Sequence, residues 1–408
     1  MSNSCFFIQT EMHKISSVQI KGSGTGIIKN VKLILCAFLI FISNVEAKQP
    51  HNTKLLQFVI TSDSHFGIKR LTFQGDSNVY SNDVNAAMVA KINRLPSLKL
   101  PNDGGVNASN TVGGIEYLIN AGDLSNREEY GVQTSEKSWS QFAAVYLKGL
   151  TLKNNRNKKT EILLLPGNHD ISNSIGYCRK LSPLTDNTAL VGIFNYMFPR
   201  HPKNTSTFNY SIDKVHYSRD KGGIHFVFIN MWPDSSERVW IEKDLKTVRP
   251  NTPVIMFAHD QPAVESKHFT NPNGNHTING TDKFENIIPE VFKDGTKTSD
   301  PSLIEQRSFV AFIKAHPNIK AYFNGNAHEN KMYEYKGPDN DISLKTFQVD
   351  SPMKGIISLK DETKLSFQLV TIDLRTKTMT VRECLWNPNP NTTSELISWG
   401  TNASISLN

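Results

Sequence analysis

The 408-residue sequence predicts an α/β protein. Short apolar runs that stop abruptly in polar residues alternate with longer stretches of helical period, as when strands feed connections over a sheet. The clearest run is Leu163-Leu164-Leu165-Pro166-Gly167-Asn168-His169-Asp170, a strand halted by Pro-Gly with three side chains behind the turn that hold metals or move protons. Ligands of open α/β sheets bind beyond the carboxyl ends of strands, where this polar chemistry falls. Taken alone, the stretch also fits a surface turn after a core strand.

Composition narrows the class. With 38% hydrophobic and 20% charged residues the chain can bury a large core and is not disordered by composition. Its length allows one large α/β domain or two ordinary ones. The net charge of +7 is a mild excess that suits an anionic substrate. Basic runs interleaved with aromatics are missing from the sequence, so no nucleic-acid partner is expected.

Lys14, Lys21, Lys29 and Lys32 precede the apolar run Leu33–Ile42, which is too short for the roughly 20 residues of a spanning helix. Val45 and Ala47 then occupy the small-residue positions of a cleavage site. Residues 1–47 are expected to be a signal peptide with a long N-terminal extension, which a start at Met12 would shorten. Export to a periplasm or to the outside follows, with no stable membrane span after cleavage; an uncleaved anchor is the alternative. Beyond residue 47 the cysteines are Cys178 and Cys384, for which a disulfide is neither required nor excluded. Asn-x-Ser/Thr acceptors at Asn107, Asn204, Asn209, Asn275, Asn279, Asn391 and Asn402 mark surface loops if the host glycosylates.

Along the chain, the strand from Leu55 ends in Asp63 and His65, which share one side of an extended segment and can grip one ion. Residues 71–114 read as a long connection with a helix over Asn82–Leu95. A strand from Ile115 ends in Gly122-Asp123, where the glycine lets backbone approach whatever Asp123 binds. Ser138–Leu152 has an amphipathic stripe of Trp139, Phe142, Tyr146 and Leu150, read as core. After residues 172–222, a second long connection, Gly223–Asn230 is a strand whose His225 reads as a packing residue.

A helix over Ser236–Lys246 leads to the strand Pro253–Ala258, ending in His259. Residues 261–302 read as a rim insertion carrying His268 and His276, followed by a helix over Leu303–Ala315. The strand from Ile319 runs into Gly325-Asn326-Ala327-His328, and Ile342–Val349, Leu365–Ile372 and Met379–Leu385 are further strands. Residues 387–408, rich in Asn, Pro, Ser and Thr, read as a loosely held tail.

Asp63/His65, Asp123, Asn168/His169/Asp170, His259 and Asn326/His328 thus all stand at strand ends, and a shared metal site is the economical account. Asp63-x-His65, Gly122-Asp123, Gly167-Asn168-His169-Asp170, His259 and Gly325-Asn326-x-His328 resemble the calcineurin-like metallophosphoesterase family over about Leu55–Asn330. The resemblance implies a domain over residues 48–386 with two mixed β-sheets packed face to face and helices on the outer faces, a four-layer sandwich. It implies two divalent ions (Mn, Fe or Zn) about 3.5 Å apart. Asp63, His65 and His328 would hold one, Asn168 and His259 the other, and Asp123 would bridge them.

In the same resemblance a hydroxide between the ions is the nucleophile, His169 is the general acid or phosphate contact and Asp170 orients its ring. The family's Gly-His-x-His is here Gly-Asn-x-His, which puts Asn326 at the second ion and favours Mn²⁺ or Mg²⁺ there. Purple acid phosphatases carry Tyr three residues after the bridging Asp, where this chain has Asn126, so no iron-tyrosinate colour is expected. The implied reaction is hydrolysis of a small phosphate ester, whether monoester, diester or nucleotide. The alternative is a binding protein that keeps the fold with an incomplete second site.

Overall fold

Strand β1 (Leu55–Thr61) leads through a hairpin of β2 (Lys69–Phe73) and β3 (Asp76–Tyr80) and helix α1 (Ser81–Ile92) to β4 (Tyr117–Asn120) in the computed structural model. Helix α2 (Ser135–Phe142), continued as a π-helix over Ala143–Lys148, leads to β5 (Glu161–Leu164). A one-turn α3 (Asn168–Ile171) and α4 (Thr188–Met197) precede β6 (Tyr217–Lys221) and β7 (Ile224–Phe228). Helix α5 (Ser235–Leu245) joins these to β8 (Val254–Phe257), and α6 (Pro301–Ala315) precedes β9 (Ile319–Asn324). Strands β10 (Lys331–Tyr335), β11 (Leu344–Gln348), β12 (Ser366–Asp373), β13 (Thr378–Leu385) and β14 (Ser398–Ser406) complete the chain.

The structure describes residues 54–126, 133–171, 187–209, 212–264, 301–390 and 397–408. The proposed leader over 1–47, Cys178, His268, His276 and the acceptors Asn275, Asn279 and Asn391 lie outside them. Cys384 is buried with a free thiol.

Side-chain alternation builds two mixed sheets, one in the order β14-β13-β12-β1-β4-β5 and the other β10-β11-β9-β8-β7-β6. Ile255 and Phe257 of β8 point into one core cluster while Val254 and Met256 point into another, so both faces of this strand are covered. The inner cluster joins the sheets: the Phe58 ring of β1 lies 5.8 Å from Phe226, 6.0 Å from Phe257 and 6.2 Å from Phe323, all on the second sheet. The outer cluster packs Val227, Met256 and Tyr322 against Ile241 of α5 and Phe309 and Ile313 of α6. Each such fully buried side chain contributes on the order of 1.5–3 kcal/mol.

Parallel pairing positions the site. Strands β1, β4 and β5 run parallel, as do β8 and β9, so their carboxyl ends lie together. Asp63, Asp123, Asn168, His259, Asn326 and His328 all follow those ends within a few residues. The two sheets meet there: His259 Nδ1, beyond β8, lies 2.7 Å from the Ala121 carbonyl beyond β4.

Several elements differ from expectation. The 71–114 connection opens with most of a hairpin, the end of β2 and all of β3, and the 172–222 connection contains α4 and β6. The stripe expected on one helix is shared by α2 and the π-helix, whose widened turn shows in Gly149 N–H donating to the Ala144 carbonyl at 3.1 Å. Phe142, Tyr146 and Leu150 are buried as expected. The tail is corrected most plainly: Ser398–Ser406 form β14, paired antiparallel with β13. Trp399, Ala403 and Ile405 on that strand pack against the core and Leu407 is buried, an alternation that bulk composition hides.

Candidate metal centre

Backbone geometry at the strand ends is unusual. Asp63 (φ 54°), His65 (φ 43°), Asp123 (φ 52°), Asn326 (φ 62°) and His328 (φ 54°) all sit in the left-handed region, costly for non-glycine residues. Packing between loops enforces it. Asp63 N–H donates to the Gly122 carbonyl at 2.9 Å and His65 N–H to the Asp123 carbonyl at 3.0 Å. Ser351, which the sequence reading did not single out, donates its hydroxyl to the Asp63 carbonyl at 2.8 Å from beyond β11. No local sequence pattern announces that contact.

Each aspartate then has one oxygen fixed and one turned inward. Asp63 Oδ2 accepts from Asn326 N–H at 3.0 Å, and Asp123 Oδ1 accepts from His169 N–H at 2.8 Å. The other oxygens are buried: Asp123 Oδ2 accepts no hydrogen bond among the described residues, and Asp63 Oδ1 has only the His328 ring at hydrogen-bond distance. Imidazole nitrogens surround them. His328 Nε2 lies 3.0 Å from Asp63 Oδ1, and His65 Nε2 lies 3.7 Å from that oxygen and 3.8 Å from Asp123 Oδ2. Asp63, His65, Asp123 and His328 each offer a ligand atom within 4.8 Å of the others. Two buried, inward carboxylate oxygens and two imidazoles fit a divalent cation.

The charge balance agrees. Burial works to raise the Asp63 carboxyl, yet His328 and then His259 hold it below the usual carboxylate range. Burial also works against a charged His259, but Asp123 and then Asp63 push its pKa up to about 10. Without a metal the paired carboxylates draw a proton onto a buried imidazole, which is the charge a cation would supply.

A second group adjoins the first across Asp123. His259 Nε2 lies 3.1 Å from Asn168 Oδ1 and 3.4 Å from Asp123 Oδ1. The bond from its Nδ1 to the Ala121 carbonyl fixes the ring so that Nε2 faces this group. Asn326 differs: its side-chain Nδ2 donates to Asp260 Oδ1 at 2.8 Å and to Gln261 Oε1 at 3.1 Å, leaving only its carbonyl oxygen for an ion. Asp260 and Gln261 are further residues that sequence reasoning passed over, although Asp260 directly follows His259.

His169 lies at the edge of the group, 7% exposed, with Nε2 3.8 Å from Asp123 Oδ2. Asp170 is placed differently from the sequence expectation. Its carboxylate accepts from Leu124 N–H (3.1 Å), Ser125 N–H (2.9 Å), the Ser125 hydroxyl (3.0 Å) and Gly167 N–H (2.9 Å). Those donors use its acceptor positions, so Asp170 ties the β4 loop to the β5 loop instead of orienting the His169 ring. Burial and then Asp123 push its pKa up to about 7, against the pull of the amides. His225, read as a packing residue, is buried with Nδ1 2.8 Å from Asp220 and Nε2 2.7 Å from Asp244, away from this group.

The profile of the calcineurin-like phosphoesterase family matches residues 56–288. The chain belongs to this family. No curated protein sequence matches it. Among solved structures it is similar to a dimetal phosphatase from Danio rerio, with 9% identity, a TM-score of 0.46, and 86% of this chain and 99% of that chain covered. A calcineurin-like phosphoesterase from Bacillus subtilis aligns at 12% identity and a TM-score of 0.30, over 86% of this chain and 91% of that chain. Membership of the family points to metal-dependent phosphoester hydrolysis, and Asp63, His65, Asp123 and His328 form a candidate metal site.

Proposed function

We propose that the protein is a binuclear phosphoesterase, exported from the cell, that hydrolyses a small phosphate ester. The reading rests on the convergence of Asp63, His65, Asp123 and His328, whose ligand atoms lie within 4.8 Å of one another. Asp63, His65 and His328 would hold one ion, Asn168, His259 and Asn326 the other, and Asp123 both. When bound, such ions supply Lewis acidity to the phosphoryl group and lower the pKa of a coordinated water.

The chain's own residues do the rest. Asp123 is held by the His169 amide, so its carboxylate stays aimed at both sets of ligands. The His169 ring stands against that carboxylate at the edge of the group and would give a proton to the leaving oxygen. Assays of p-nitrophenyl phosphate and its bis ester with added Mn²⁺ test this. Replacing His169 by Ala should lower kcat about 10²- to 10⁴-fold with metal content unchanged; equal rates in the two proteins would sink the role of His169.

The anchoring of Asn326 by Asp260 and Gln261 favours a second reading, in which the second ion is weakly held and the protein binds phosphate esters with little turnover. Metal analysis separates the two. Two ions per chain support the hydrolase, and one or none supports the binder.

A further inference from the structure

Two surface segments rise directly from the ligand loops. The β2–β3 hairpin begins four residues after His65. Residues 351–361 are bonded to the ligand residues themselves, Ser351 to the Asp63 carbonyl and Ile356 N–H to the His328 carbonyl at 2.7 Å. Arg70, fully buried, staples the segments together by donating to the Pro352 carbonyl at 3.0 Å and to the Ser358 carbonyl. The hairpin tip adds a bond from Gln74 N–H to Glu362 at 2.8 Å.

On this stapled platform aliphatic side chains face water. Leu71 is 71% exposed, Ile356 53%, Ile357 48% and Leu359 40%. Most of the large exposed hydrophobics among the described residues lie on these two segments, a concentration that scattered surface residues do not produce. Cations flank them. Lys69 lies over the ring of Tyr80, itself 60% exposed, with Nζ 4.3 Å from its centroid, and Lys360 and Lys364 are exposed at the other end. The acids of residues 69–80 and 351–364 are Asp76, Asp361 and Glu362, against Lys69, Arg70, Lys354, Lys360 and Lys364, so a positive surplus remains.

We propose that this lip docks the protein on an anionic lipid surface and that the phosphate ester it cleaves is displayed there. A soluble ester needs the ligand group but not outward aliphatics on two segments beside it. An anionic leaflet offers apolar depth to those aliphatics and negative charge to Lys69, Lys360 and Lys364. The proposal rests on the phosphoester reading of the metal site.

Cosedimentation of the full chain with vesicles of equal parts phosphatidylglycerol and phosphatidylcholine tests it, beside a Leu71→Ser/Ile357→Ser variant. The apolar run Leu33–Ile42 is common to both proteins, so their difference isolates the lip. Expected is binding of the unmodified chain, and a partition coefficient at least about tenfold lower in the variant at an unchanged melting temperature. Lys360→Glu/Lys364→Glu should weaken binding several-fold on these vesicles and not on pure phosphatidylcholine. Equal partition of the unmodified chain and both variants, or no binding of the unmodified chain, overturns the lip. Hydrolysis of soluble p-nitrophenyl phosphate is scored separately. Turnover with equal partition removes the lip alone, whereas lip-dependent binding without turnover of any ester upholds the lip and removes the phosphoesterase reading.

Discussion

The side-chain amide of Asn326 donates to the Asp260 carboxylate at 2.8 Å, so the residue that departs from the family's imidazole is tied by the residue after His259. An amide oxygen is a weaker donor than imidazole toward most divalent metals. Asn326→His should therefore raise metal content per chain and turnover together, with Asp260 available to accept from the new ring. Asn326→Asp separates ligation from packing. It sets a carboxylate against Asp260 and should destabilise the metal-free protein by about 1–3 kcal/mol, with recovery when Mn²⁺ is added. Unchanged metal content in the His variant would remove Asn326 from the ligand set.

Asp170 supports a different prediction. Its carboxylate receives three backbone amides and a hydroxyl, all buried. Asp170→Ala leaves those amides unsatisfied, at about 1–3 kcal/mol each. Urea unfolding should show a loss of at least about 3 kcal/mol, and metal affinity should fall because Asp123 and Asn168 ride on the loops that Asp170 joins. A protein of unchanged stability whose kcat alone fell would restore the ring-orienting role.

The candidate metal ligands were legible in the sequence because strand ends carry them, and a strand that ends in Asp, His or Asn announces itself by an abrupt loss of hydrophobicity. Strands β1, β4, β5, β7, β8 and β9 were visible for the same reason, as nearly continuous apolar runs; β5 borders its sheet but is buried along most of its length. The other three edge strands were not. β6 (Tyr-Ser-Arg-Asp-Lys), β10 (Lys-Met-Tyr-Glu-Tyr) and β14 each border a sheet and face water on one side, so their polar residues read as loop or tail. The contacts that shape the ligand group were hidden by sequence distance: Ser351 reaches Asp63, and Asn326 reaches back to Asp260. Asp170 misled because adjacency to His169 in sequence implies nothing about which donors its carboxylate meets.

Close backbone approach beneath the ligands predicts a strong effect at Gly167. A Cβ built there falls 2.1 Å from Asp123 Oδ1 and 2.4 Å from the Asp123 amide nitrogen. Neither can yield, since the carboxylate already accepts from His169 N–H. Gly167→Ala should cost on the order of 1–3 kcal/mol and lower metal affinity at least about tenfold as Asp123 is displaced. Calorimetric titration with Mn²⁺ reads the affinity; wild-type binding would show that the Asp123 loop tolerates displacement.

Asp350 gives the protein a pH dependence separate from the ligands. Its carboxyl is 4% exposed, and Oδ2 has no hydrogen-bond partner among the described residues. Burial pushes its pKa up to about 8 against the opposing pull of Ser358, the Ser351 amide and Arg70. The unfolded chain releases this proton near the ordinary value of 3.8. Between those values the native state holds a proton that the unfolded state has lost, so this group makes stability fall as pH rises from about 4 to about 8. Above that window the native carboxylate is ionised and the penalty is complete. Asp350→Asn keeps the neutral shape and should flatten the decline, so that its melting temperature exceeds that of the unmodified protein by a margin that widens from pH 5 to pH 8. Parallel melting curves across that range would mean that Asp350 is ionised in the native protein throughout, with Arg70 as its counter-charge.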